Sequence, residues 1–317
     1  MNLTRLLLTG LVCCMTSLLM GQQLSLYTQY REHATLINPA AMELDFLALG
    51  YPMTVGASYR KQWTGISGSP TTQTLRFSYV NAGRSSANLT AGAYVINDQT
   101  GPTGFTGFYG RVGAVLGSDV EYSGLSLALS AGYVGYQVRA SELVLRDGGD
   151  ITGMTNQSQS HPDVGFGLYF YNTVGRNDNQ IYVGLSVPQL LGFDLTYTND
   201  AGEFDVQRVR HYYAMAGTIL RFRDESFMEL SAWGKYVEGA PFNADFNMRY
   251  QMNNALYLGT GLSTAGNFHV EAGVNLGPNA GLDNNIRIGY GADYSFSSFG
   301  PSVGGTHEIQ VSLALDR

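Results

Sequence analysis

The chain has 317 residues, of which 14% carry a formal charge, with 40 glycines, 21 tyrosines and a formal net charge of −7. Soluble proteins average roughly 25% charged residues, so a surface bathed wholly in water is disfavoured. The acidic balance argues against nucleic acid as a partner, since phosphate binding needs clustered Lys and Arg.

In chain order, the first element is a leader. Residues 1–21 place Arg5 ahead of an apolar stretch from Leu6 to Met20 and end on the small residue Gly21. That layout predicts a cleaved signal peptide, with Gln22 as the first mature residue. The apolar stretch is short and broken by Thr9, Gly10, Thr16 and Ser17, which does not suit a membrane-spanning helix. Both cysteines, Cys13 and Cys14, fall within it, so the remaining chain forms neither disulfides nor thiol-ligated metal sites.

Residues 22–45 lack any two-residue alternation and stand as a candidate plug. Alternation begins after them and persists to the end. Phe268, Val270, Ala272, Val274 and Leu276 alternate with His269, Glu271, Gly273, Asn275 and Gly277. Ile286, Ile288, Tyr290, Ala292, Tyr294 and Phe296 do the same against Arg287, Gly289, Gly291, Asp293 and Ser295. Alternate side chains of a strand point to opposite faces, so each segment has one apolar face and one polar or empty face. The predicted strands are 53–62, 71–80, 87–97, 105–116, 123–139, 163–173, 179–188, 209–223, 226–237, 242–252, 255–263, 267–277, 284–296 and 305–315. Many approach the nine to eleven residues that cross a bilayer at a tilt.

The fold class is therefore all-β: a transmembrane antiparallel β-barrel of about 14 strands, with residues 1–21 as signal peptide and 22–317 as the outer-membrane barrel. A soluble β-sandwich also alternates, but its outer face would carry Lys and Glu, where this polar face is mostly Gly, Ser, Asn, Thr and Gln. Residues 140–162 and 189–208 read as surface loops, 140–162 on the outside. Tyr59, Tyr79, Tyr94, Tyr109, Tyr169, Tyr171, Tyr236 and Phe296 are expected in the aromatic girdles at the two membrane interfaces. Glycines within strands, as in Gly132-Tyr133-Val134-Gly135 and Gly289-Tyr290-Gly291, mark bending or close packing.

Catalytic chemistry is not expected. His33, His161, His211, His269 and His307 include no pair at metal-ligand spacing, and neither nucleophile elbows nor phosphate loops occur. Asp293 and Glu308 fall on inward faces, with no base, nucleophile or metal near them in sequence. No cofactor is implied, and the chain is not expected to be an enzyme.

Two segments break the repetitive pattern. The first holds Asn38-Pro39-Ala40 and then a hairpin running through Arg60, Lys61, Gln62, Trp63 and Gly65 to Pro70. Arg60, Gln62 and Trp63 are expected to stabilise that hairpin, with contact to a partner as the alternative. The second is Thr306-His307-Glu308-Ile309, which starts the closing strand. With Asp163-Val164-Gly165-Phe166-Gly167, Val183-Gly184-Leu185-Ser186 and Ile288-Gly289-Tyr290, these residues resemble the PorP/SprF family of outer-membrane proteins associated with the type IX secretion system of Bacteroidota.

The resemblance covers nearly the whole mature chain. It implies a fourteen-stranded barrel in contact with outer-membrane lipid. Its partner would be a secreted type IX substrate, such as a surface adhesin held at the cell surface, or periplasmic secretion-ring lipoproteins. A channel for small solutes or apolar molecules is the competing function. The sequence departs from the family in Gly305-Thr306 for the more usual Gly-Ser, and in ending Leu315-Asp316-Arg317 without the terminal aromatic common in barrels.

Overall fold

The computed structural model describes residues 27–83, 85–139, 156–199, 202–253, 255–296 and 301–316. The expected signal peptide, 1–21, lies outside the described residues, as do residues 140–155 of the expected outer loop. The described residues form sixteen strands: β1 (Met53–Lys61), β2 (Thr71–Val80), β3 (Ala87–Thr100), β4 (Thr103–Leu116), β5 (Ser123–Val138), β6 (Gln157–Val174), β7 (Asn179–Val187), β8 (Phe193–Asn199), β9 (Gly202–Arg208), β10 (His211–Arg221), β11 (Phe227–Val237), β12 (Asn243–Gln251), β13 (Leu256–Ser263), β14 (Asn267–Leu276), β15 (Asn285–Ser295) and β16 (Thr306–Leu315). Fourteen of them close into one antiparallel barrel in chain order, with β7 beside β10 and β1 closing on β16; β8 and β9 pair with each other outside it.

Two-residue alternation explains why the sheet closes with its apolar side outward. Along β2, Thr72, Thr74, Arg76 and Ser78 are buried and face the lumen, while Leu75 and Phe77 are 54% and 40% exposed on the outside. In water such a sheet would be inside out. In lipid the outer face is solvated by acyl chains, and closure satisfies the backbone groups that an open edge would leave unpaired. The closing pair runs from Met53 opposite Leu315 to Lys61 opposite His307.

That register puts the start of β1 and the end of β16 at one end of the barrel. The connections there are short, as between Val174 and Asn179 or Arg221 and Phe227. The long connections, including those from Lys61 to Thr71, Val138 to Gln157, Val187 to His211 and Ser295 to Thr306, all lie at the other end. Long loops face the outside and short turns the periplasm in barrels of this kind.

Three sequence expectations are corrected. Residues 157–162, expected to be loop, extend β6, pairing continuously with β5 from Val138↔Gln157 to Ser123↔Asn172. Beyond the lipid an outward face need not be apolar, so this polar stretch gave no alternation signal. The expected loop 189–208 contains the β8–β9 ribbon, which pairs with itself from Phe193↔Arg208 to Asn199↔Gly202 and needs no lipid-facing side. Finally, Tyr94, Tyr109, Tyr169 and Tyr171 are not girdle residues, because they are buried in the lumen, whereas Tyr59, Tyr236 and Phe296 do face outward. Residue type does not reveal parity, and the lumen has room for these rings. A Cβ on Gly132 would come within 2.4 Å of the Tyr109 ring.

Residues from Tyr27 to Ala48 are buried inside the barrel. They form a 3-10 turn (Tyr30–His33), one helical turn (Ala34–Ile37) and a short helix (Leu44–Leu49). The last helix stops at Gly50, whose left-handed φ of 80° lets its N–H reach the Phe46 carbonyl at 3.0 Å. Among the described residues no helix is long and apolar enough to cross a membrane.

Candidate functional site

The lumen is held shut by charge. Five arginines sit at inward positions of strands, Arg60, Arg76, Arg111, Arg249 and Arg287, each at most 4% exposed. A buried guanidinium is costly unless paired and hydrogen-bonded, and the segment threading the lumen supplies acceptors for every one of these arginines.

Glu32 is the centre. One of its oxygens accepts from Arg249 Nη1 at 2.7 Å and Arg287 Nη1 at 3.0 Å, and the other from Arg76 Nη2 at 3.3 Å. Strands β2, β12 and β15, from different sectors of the wall, thus converge on one carboxylate. Each arginine has a second anion as well. Arg249 holds Glu271 with two bonds of 2.7 and 2.9 Å, Arg287 donates to Asp45 at 2.7 Å, and Arg76 lies 3.4 Å from Glu43.

A second cluster joins the same segment to the closing seam. The Thr28 N–H donates to Glu308 Oε2 at 2.7 Å and its hydroxyl to Asp293 Oδ2 at 2.8 Å. Arg60 on β1 donates to Asp293 at 2.8 Å and lies 3.6 Å from Glu308. His33 Nε2 is 3.1 Å from the other Glu308 oxygen, and the His33 ring stacks on Tyr27 at 3.9 Å.

The far wall is gripped by neutral groups and one ion pair. Asn38 Nδ2 donates to the Leu168 carbonyl at 3.1 Å and sits 3.4 Å from that of Leu185, while its Oδ1 accepts from the Ala40 N–H at 2.9 Å. Only glycine allows this approach: a Cβ on Gly167 would lie 2.0 Å from Asn38 Oδ1, and one on Gly184 would lie 2.8 Å from Nδ2. The Pro39 carbonyl accepts from Arg111 at 2.7 Å. Arg31 pairs with Glu229 at 2.8 Å, and the Tyr182 hydroxyl donates to the same carboxylate. At the periplasmic end Arg221 donates to the Leu47 and Ala48 carbonyls at 2.9 and 2.8 Å, capping the last helix.

The residues singled out from sequence divide into three groups. Asn38, Pro39, Arg60 and Glu308 all bind the luminal segment to the wall. Gln62, Trp63, Gly65 and Pro70 belong to the loop after β1. The Gln62 N–H donates to the Pro70 carbonyl at 2.9 Å, closing the hairpin. Trp63, at φ 47°, and Gly65 lean instead on the last loop, through Trp63 N to Thr306 Oγ1 at 3.4 Å and Gly65 N to the Val303 carbonyl at 2.9 Å. His307 stands apart, exposed on the outer wall with Nδ1 2.6 Å from the Tyr290 hydroxyl. Sequence reasoning passed over Glu32, Arg76, Arg249 and Arg287. Their signal was available: arginines at lumen parity need carboxylates, and the one non-alternating segment carries Glu32, Glu43 and Asp45.

Chemically the arrangement is a clamp. The carboxylates of Glu32, Asp45, Glu229, Glu271, Asp293 and Glu308 are all engaged by guanidinium, amide or hydroxyl donors. No group of three or more His, Cys, Asp or Glu suited to a metal ion occurs among the described residues. Cavities remain at both mouths. One of about 500 Å³ opens at the periplasmic end beside Leu49, Arg221 and Asn275. Two smaller ones at the outer end are both lined by Tyr27 and Tyr213.

A closed, lipid-facing barrel filled by its own amino-terminal segment defines an outer-membrane β-barrel protein. Residues 19–313 match the family described as type IX secretion system membrane protein PorP/SprF, and the chain belongs to that family. No curated protein matches it. Among solved structures it is similar to the Pseudomonas putida toluene transporter TodX, at 10% identity over 91% of this chain and 93% of that one, with a TM-score of 0.52. It is also similar to the Ralstonia pickettii toluene transporter TbuX, at 11% identity over 88% and 92%, with a TM-score of 0.50. These likenesses concern the fold.

Proposed function

We propose that this barrel is a non-catalytic anchor of type IX secretion, which holds a secreted surface protein at its long-loop face. The observation that carries the reading is the ion-paired segment across the lumen. A barrel whose interior is stitched shut by Glu32, Asp45 and Asn38 is built to present a face rather than to pass cargo. The long connections and the β8–β9 ribbon gather at one mouth, and a ribbon with two free edges can take an added strand from a partner. Family membership supplies the secretion context. Engagement of periplasmic secretion-ring lipoproteins at the short-turn end is the variant of the same anchoring role.

A second reading, a channel for small apolar molecules, draws on the likeness to the toluene transporters TodX and TbuX and on the cavities at the two mouths. A mild-detergent pull-down of the tagged protein from its native outer membrane separates these readings. A stoichiometric large secreted protein supports the surface anchor, and ring lipoproteins support the periplasmic variant. Recovery of the barrel alone, with conductance in planar bilayers, overturns anchoring in favour of the channel.

A further inference from the structure

The outward wall of the barrel carries almost no charge. Among the described residues of its fourteen strands, every Arg, Asp and Glu has lumen parity. Apart from tyrosines, only two titratable residues face outward, Lys61 and His307, and the closing pair sets them directly opposite each other. Side chains so placed start about 5 Å apart at Cβ. Thr71 of β2 stands opposite Lys61 on its other flank. The Tyr290 hydroxyl lies 2.6 Å from His307 Nδ1; with the phenol donating, the imidazole proton sits on Nε2 and is left to donate. No carboxylate of the neighbouring strands shares this face, since Asp293 and Glu308 point into the lumen and hold Thr28 and Arg60.

The height of this pair on the wall matters. Lys61 is the loop-side end of β1 and Met53 its periplasmic end. At roughly 3.3 Å per residue the strand between them is about 26 Å long, and a tilt of about 40° makes that about 20 Å of height. The apolar band of such a barrel is about 25 Å tall, so Lys61 and His307 stand at the headgroup level of the outer leaflet. One pair lower, Tyr59 and Ile309 are 45% and 53% exposed and begin the apolar wall.

We infer that Lys61 and His307 bind the phosphate of an outer-leaflet lipid at the closing seam. The Lys61 ammonium supplies the charge, His307 Nε2 and the Thr71 hydroxyl supply further donors, and the acyl chains lie along Tyr59, Ile309 and Val311. A lone lysine at an interface needs only water for its head. Here an imidazole and a hydroxyl flank the one outward cation of the wall, and the nearby carboxylates are turned away; that is the donor set a phosphate takes. The lipid then lies across the junction of β1 and β16, which Arg60 and Glu308 join from within. The inference depends on the orientation of the barrel and not on the partner proposed above.

The test titrates the full barrel, in a neutral detergent, with phosphorylated lipid A and with the same lipid after removal of its phosphates, and counts retained lipid by native mass spectrometry. One phosphorylated lipid per barrel is expected, with the dephosphorylated form not retained. Lys61→Gln should weaken retention about tenfold or more, His307→Ala roughly two- to tenfold, and Lys61→Arg should preserve it. A further variant combines Lys61→Gln with Tyr236→Lys, which moves the lone charge to the loop-side end of β11, where Tyr236 is 47% exposed. It should not recover binding. Heat-dependent gel mobility verifies that every variant forms the barrel. If Lys61→Gln and His307→Ala retain the lipid unchanged, or if the relocated lysine restores it, the inference is overturned. Displacement by millimolar inorganic phosphate would make this a site for free anions and overturn the lipid assignment.

Discussion

Glu32→Gln is the sharpest test of the clamp, because it keeps the side chain's shape while removing the charge and turning one of two acceptor oxygens into an NH2 donor. Glu32 and its three arginine partners are each at most 5% exposed. Removing one member of a buried ion pair costs about 3–5 kcal/mol. Arg249, Arg287 and Arg76 each keep another carboxylate, in Glu271, Asp45 and Glu43, so the lower end, about 3 kcal/mol, applies. The wall itself is untouched, so the cost falls on seating of the luminal segment. A loss of about 3 kcal/mol raises the unseated population roughly 100-fold. Native-state hydrogen exchange reads this directly: amides of Ala34–Ile37 and Leu44–Leu49 should exchange roughly 100-fold faster while those of central strands are unchanged. Glu43→Gln, which weakens one arginine contact at 3.4 Å but keeps an oxygen to accept from the Thr35 hydroxyl at 3.0 Å, should cost about 1 kcal/mol or less. If Glu32→Gln leaves helical exchange as slow as in the unsubstituted protein, or if Glu43→Gln has the larger effect, the keystone role of Glu32 is wrong.

Arg60→Ala leaves Asp293 and Glu308 facing each other without their shared cation, and should destabilise the protein by about 3–5 kcal/mol in urea titration; a loss below 1 kcal/mol contradicts the seam cluster. Trp63→Ala, in a loop and only half-buried, should lower stability by about 1 kcal/mol or less, leaving assembly intact. Gly167→Ala forces a methyl against the Asn38 amide and should speed exchange of Asn38–Ala40, an effect that Asn38→Ala, which frees the space but loses the bonds, should share in direction. Arg221→Ala uncaps the last helix and should speed exchange of Leu44–Leu49 selectively, leaving Tyr30–Ile37 protected.

Strand existence was legible because period-two alternation is local. Phe268 to Leu276 states its own two faces, and the lipid needs one of them apolar. Which residue type occupies which face is less local: Tyr94 and Tyr109 turn inward because their parity matches Ile96 and Arg111, and nothing about tyrosine says so. The clamp was the least legible part. Glu32 meets Arg76, Arg249 and Arg287 across 44, 217 and 255 positions, and no window along the chain contains two of these residues. Arg60 and Glu308 stood out individually, yet their joint grip on Thr28 depends on β1 closing against β16.

That closure has a consequence for how the protein comes to exist. The β1–β16 pair joins residues more than 240 positions apart, so it carries the largest loop-closure entropy of any pairing in the barrel and should form late. Its two strands contribute Arg60 and Glu308, and both reach Thr28. With the luminal segment in place, the last two strands to meet find a binding partner already waiting between them; without it, they would bring a buried cation and two carboxylates together around empty space. The segment is then a template for zipping the cylinder, and a chain lacking it should stall as an open sheet rather than mature into an empty pore.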